Sequence, residues 1–127
     1  MTEHHTVKAF DTDLQDLARM VAEMGGLAEK QVADAVDALA RRDTTLAQRV
    51  TVADVQIDTL QHEIEERAVL TIARRQPMAV DLREIVSALR ISNDLERIGD
   101  LAKNIAKRVI ALNAEFPPPK LIRGVEH

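Results

Sequence analysis

Three runs of apolar residues spaced three and four apart, separated by two short polar breaks, leave this chain little choice of fold. The first run reads Phe10, Leu14, Leu17, Val21, Met24, Ala28, Val32, Ala35 and Leu39. Such a stripe is one face of an amphipathic helix and has no counterpart in a strand, where the period is two. Gly25 and Gly26 fall inside it, and each costs about 1 kcal/mol against Ala in a helix interior. The stripe keeps phase across them, so we expect one unbroken helix over about 7–41, with the glycines admitting a closely packed neighbour.

Arg41 and Arg42 then suit the negative end of a helix dipole, and Asp43 or Thr44 can cap the next helix. That helix is expected over about 45–74, with Leu46, Val50, Ala53, Ile57, Leu60, Ile64, Ala68 and Ile72 facing inward. It also ends in two cations, Arg74 and Arg75. Pro77 pushes the residue before it out of helical geometry. The third helix should start between Pro77 and Asp81 and reach about Asn113. Pro117, Pro118 and Pro119 cannot continue it and read as a stiff extended linker. Short connections force neighbouring helices to run antiparallel, so the expected fold is all-α, an elongated antiparallel three-helix bundle over residues 7–113. Residues 1–6 are expected to be a flexible terminus, 114–119 a proline-rich linker, and 120–127 the first turn of a fourth helix, as in a fragment or half of a larger protein.

The composition removes several chemistries. Without Cys there is no disulfide, thiolate metal site or thiol nucleophile. A net charge of −4, with no Trp or Tyr and only two Phe, argues against nucleic acid as the partner. The first ten residues hold no apolar run resembling a signal peptide, and no stretch approaches the roughly 20 apolar residues of a membrane span. The expected location is the cytoplasm.

The third helix contains an anomaly. Leu82, Ile85 and Leu89 form an apolar stripe whose continuation is Ser92, Glu96, Gly99 and Asp100, so one face turns from apolar to acidic. A second stripe, Ala88, Ile91, Leu95, Ile98, Ala102, Ile105, Val109 and Leu112, is expected to carry the packing. Glu96 and Asp100 are four apart on one helix face, as are Asp54 and Asp58 on the second helix. Like charges at that spacing repel unless a cation offsets them, and hard cations take carboxylate oxygens in this way. With 21 acids in 127 residues, chance supplies about three such pairs, so spacing alone carries little weight. No His has a Glu three positions earlier, as a di-iron bundle needs. His62-Glu63 lacks the second His of a zincin motif, and no nucleophile–base pair or phosphate loop is present. An enzyme is not expected. Arg83, Arg90 and Arg97 recur every seven residues and read as a solvated face, with Arg90 pairing Asp94. Arg74, Arg75 and Arg83 could form a docking patch at one tip.

Glu96-Arg97-Ile98-Gly99-Asp100, preceded by Asp94-Leu95, resembles the signature of the PhoU family, the accessory proteins of bacterial phosphate-specific transport. So do Met24-Gly25-Gly26 with Glu29 and Gln31, Arg41-Arg42-Asp43 with Leu46-Ala47 and Arg49-Val50, Asp54 with Ile57-Asp58, and Ala73-Arg74-Arg75-Gln76-Pro77 with Asp81-Leu82-Arg83. Together they cover about residues 7–113 in the family's order and spacing. The family fold is two tandem three-helix repeats, and this chain matches the first, the linker and the first turn of the second.

The resemblance implies a regulator rather than a catalyst, one that represses the phosphate-starvation response and restrains uptake. It implies docking to the ATP-binding subunit of the phosphate importer and to a sensor histidine kinase. It also implies metal at the acidic motifs, with Asp54, Asp58, Glu96 and Asp100 as ligands. Oxygen ligands suit iron(III), manganese, magnesium or calcium, with zinc also bound in the family. A lone repeat should bury its exposed face by self-association, as a homo-dimer or higher oligomer. Two other readings stand beside this one: a metal- or phosphate-sensing module, and a helical oligomerisation module with no ligand.

Overall fold

A computed structural model describes the backbone of residues 2–118 and the side chains of residues 8–118. Three helices follow in order: α1 (Thr2–Arg41), α2 (Thr44–Arg75) and α3 (Ala79–Glu115). Their 40, 32 and 37 residues make rods of about 60, 48 and 55 Å at 1.5 Å per residue. Each packs on both of the others, in the antiparallel order that the short turns dictate. α1 starts at Thr2 rather than at residue 7, because extending an existing helix adds a hydrogen bond for each residue fixed. α3 runs to Glu115, so the extended segment begins at Phe116 rather than at 114. The expected fourth-helix start at 120–127 lies outside the described residues.

Neither turn contains glycine. Arg42 (φ 54°) and Gln76 (φ 47°) adopt the left-handed conformation that L side chains disfavour. Gln76 N–H still donates to the Ile72 carbonyl at 3.0 Å, and the Arg42 turn is held by several further bonds. Asp43 N–H reaches back to the Ala38 carbonyl at 2.9 Å, closing α1 in a Schellman-type wrap. The Asp43 carboxylate accepts from Leu46 N–H at 3.0 Å, capping α2 as expected from the sequence. Arg42 is gripped from α3. Its Nε donates to Asn113 Oδ1 at 3.0 Å, and Asn113 Nδ2 donates to the Arg42 carbonyl at 2.8 Å and the Thr44 hydroxyl at 2.7 Å. The Arg42 guanidinium also donates to the Phe116 carbonyl. This clasp ties the first turn to the end of α3, just before the prolines.

The core has two parts. At the α2–α3 turn end it is built from large side chains, with Leu17, Met24, Ile57, Leu60, Ile64 and Ile85 joined by Ala28 and Ala68. At the other end it is mostly alanine: Ala35, Ala38, Ala47, Ala102 and Ala106, with Val50 and Val109. Between them lies a polar layer. Gln31 of α1 donates to the Val50 carbonyl at 2.7 Å, and Asp54 of α2 faces Gly99 of α3.

The packing face of α3 differs from expectation. Ile91, Ile98 and Leu112 are exposed, as is Leu39 on α1. Ile85, Ser92, Gly99, Ala102, Ala106, Val109 and Asn113 are buried instead. Small residues let α3 lie close, and Ser92 satisfies its own hydroxyl on the Leu89 carbonyl at 2.7 Å. The glycine expectation is corrected too. A Cβ on Gly26 would meet nothing within 4 Å, and on Gly25 only Leu95 Cδ1 at 3.9 Å. The close approach is at Gly99, where a Cβ would lie 3.0 Å from Ile57 Cδ1 and 3.3 Å from Asp54 Oδ1. Asp94 sits 3.9 Å from Arg97, not paired with Arg90. Arg75 is bound to Asp13 at 3.1 Å, which takes it out of the proposed basic tip.

Candidate metal centre

Asp54 and Asp58 lie one turn apart on α2, and Glu96 and Asp100 one turn apart on α3. The close approach at Gly99 brings the two pairs together. Asp54, Asp58 and Asp100 each present a carboxylate oxygen, and these three oxygens lie within 4.8 Å of one another. The Glu96 carboxyl stands beside this triad. Asp54 is only 3% exposed. Its Oδ1 is the one buried side-chain nitrogen or oxygen among the described residues that has no hydrogen-bond partner. A buried carboxylate oxygen without a donor carries a full desolvation penalty, so it marks a place where a cation would be stabilised.

The electrostatics follow from the crowding. Burial pushes the Asp58 carboxyl above its ordinary range, and the neighbouring Asp54 and Asp100 charges push it further. Glu96 is raised by burial, then by Asp100 and Asp58, while a hydrogen bond from Gln61 works the other way. Gln61, itself buried, also donates to Asn93 Oδ1 at 2.7 Å.

Lys103 offsets part of the negative charge. Its Nζ is 3.2 Å from Asp54 Oδ2 and 3.9 Å from Asp100 Oδ1. Its own pKa is raised, chiefly by the hydrogen bond and charge of Asp54.

Sequence reasoning selected all four carboxylates and missed Lys103 and Gln61. Lys103 left a trace, since Glu96, Asp100 and Lys103 are spaced four and three and share a face. Gln61 left none: a glutamine four residues from Ile57 is unremarkable until Glu96 is placed against it.

The donor set is all carboxylate, with an open buried oxygen and no thiolate or imidazole in the triad. It fits a hard cation such as iron(III), manganese(II) or magnesium, and suits zinc less well.

Residues 21–109 match the PhoU domain, a span that includes both acid pairs and Lys103. The chain belongs to the PhoU family. It is 54% identical over 127 residues to the phosphate-specific transport system accessory protein PhoU homolog of Rhizobium meliloti, covering all of this chain and 54% of the relative. It is 55% identical over 126 residues to the Caulobacter vibrioides homolog, covering 99% and 54%. The crystal structure of PhoU from Pseudomonas aeruginosa superposes with a TM-score of 0.81 at 48% identity, over 84% of this chain and 51% of that one. The chain therefore spans about half the length of the curated PhoU relatives it matches. Among the described residues, no helix is long and apolar enough to cross a membrane.

Proposed function

We propose that this chain is the regulatory part of a phosphate-transport accessory protein, a negative regulator of uptake and of the phosphate-starvation response. In this reading it works in the cytoplasm and docks to the ATP-binding subunit of the importer and to a sensor histidine kinase. Asp54, Asp58 and Asp100, with Glu96 beside them, would hold a hard cation. When bound, such a cation supplies positive charge between α2 and α3 and open coordination positions for an oxyanion. The observation that carries the metal part is the unpartnered Oδ1 of Asp54 within a triad of converging carboxylates. The transport role is supported by the relatives' names, phosphate-specific transport system accessory protein; the ATP-binding subunit and the kinase rest on the family resemblance alone.

The test combines metal analysis with pull-down. The purified protein should retain a metal ion that the Glu96→Ala/Asp100→Ala variant lacks, and it should capture the importer ATPase subunit or the kinase. Equal metal in both proteins would overturn the metal site, and capture of neither partner would overturn the docking role. One observation favours the oligomerisation reading beside this one. Val52 and Val55 form a short apolar stripe one turn long on α2 and are 73% and 63% exposed. Light scattering showing a clean monomer would refute self-association through that stripe.

A further inference from the structure

The cation already at the acid cluster belongs to the chain itself. Lys103 sits 3.2 Å from Asp54 Oδ2 and 3.9 Å from Asp100 Oδ1, and so touches ligand candidates on both helices. It neutralises one edge of the cluster. The opposite oxygen of the same Asp54 carboxylate has no partner and is buried. Four carboxylates therefore face one ammonium, which satisfies only part of them. The lysine side chain is 28% exposed and its four-carbon stem is flexible, so the ammonium can leave for water with no change in the helix. A multivalent cation among Asp54, Asp58 and Asp100 would stand within a few ångströms of the Lys103 charge. At that distance, in a partly buried site, the two repel strongly.

We propose that Lys103 is a tethered counter-cation: it occupies Asp54 while the site holds no metal and is expelled when a metal enters. This rests on the metal reading above and deepens it. Lys103 becomes the residue that sets the metal concentration at which the site fills, because each binding event must break the Lys103–Asp54 ion pair. An ordinary structural salt bridge predicts the opposite, since losing it would loosen the cluster and weaken metal binding.

The two are separated by titrating metal-free protein with manganese(II) in a calorimeter, for the wild type, Lys103→Met and Lys103→Gln. Thermal melts with and without the metal accompany the titrations. Removing the competing charge should tighten manganese binding by roughly tenfold or more. The same variants should melt lower than wild type without metal and recover when it is added. Arg97→Met removes an exposed cation that pairs with Asp94 outside the cluster, so it should leave affinity unchanged. If wild type binds manganese and both Lys103 variants bind it equally or more weakly, the counter-cation role is overturned and the metal site stands. If no protein binds manganese, iron(III) or zinc, the metal reading falls and this inference falls with it.

Discussion

Gly99→Ala sets two well-measured effects against each other at the point where α3 touches α2. In a helix interior Ala is favoured over Gly by about 1 kcal/mol, so the backbone term alone would stabilise the protein. The new methyl, however, would lie 3.0 Å from Ile57 Cδ1, 3.5 Å from Ile57 Cγ2 and 3.3 Å from Asp54 Oδ1. Carbon atoms prefer about 3.5–4.0 Å, so Ile57 must retreat by about half an ångström. Ile57 is fully buried in the large-residue cluster and has little room to move. Overpacking of this kind costs about 1–3 kcal/mol. The net effect is a loss of about 0–2 kcal/mol, and the methyl also presses on the carboxylate proposed to hold metal. Gly26→Ala is the control, because its methyl meets nothing within 4 Å and should bring the full stabilisation of about 1 kcal/mol. Urea unfolding of the two variants should give midpoints on opposite sides of wild type, or Gly99→Ala at wild type and Gly26→Ala above it. Their separation should be on the order of 1 M. Equal stabilisation by both would refute the close approach and, with it, the geometry that joins the two acid pairs.

Two further outcomes are expected. Asn113→Ala removes both of its own hydrogen bonds to Arg42 and the one to Thr44, so it should cost about 2 kcal/mol by thermal or urea unfolding. A loss below about 0.5 kcal/mol would show that the clasp is ornamental. The raised pKa of Asp58 means that the folded chain binds more protons than the unfolded one just above the ordinary carboxylate range. Its contribution is present at acid pH and is lost as pH rises through the folded value, leaving a penalty at neutrality. Asp58→Asn should therefore stabilise the metal-free protein at pH 7 while reducing its metal content, and melts at pH 4 and pH 7 should converge. A metal-free variant less stable than wild type at pH 7 would contradict this sign. Lys103 acts at the other end of the scale. Its raised pKa gives stability that is present below the ordinary lysine value and lost above it.

The helices, their antiparallel order and the Asp43 cap were legible because they depend on local rules: apolar period, capping oxygen and proline. The inward faces were legible only in part. Leu39, Ile91, Ile98 and Leu112 look like core by hydropathy, and each sits exposed beside a smaller residue that is buried in its place, such as Ala38, Ser92, Gly99 or Asn113. Hydropathy rewards size, whereas a closely spaced bundle selects for small volume at the contact line. The four carboxylates were singled out because each pair's spacing lies within one helix and both pairs match the family's acidic motifs. Gln61 was missed because its role exists only across α2 and α3, and Lys103 because α3 alone shows its neighbour Asp100 but not the Asp54 it pairs with.

The polar layer of Gln31, Asp54 and Gly99 has a mechanical consequence. On one side of it the buried contacts are made mainly by leucine, isoleucine and methionine, and on the other mainly by alanine. Alanine contributes little transfer energy, so the alanine end, with the Arg42–Asn113 clasp, has the lower threshold for local opening. The carboxylates sit at the joint where the two clusters meet. Any ligand that binds only the closed joint withdraws population from openings on either side of it. A change of charge at one buried oxygen would then be felt as stiffness at both tips of the rod.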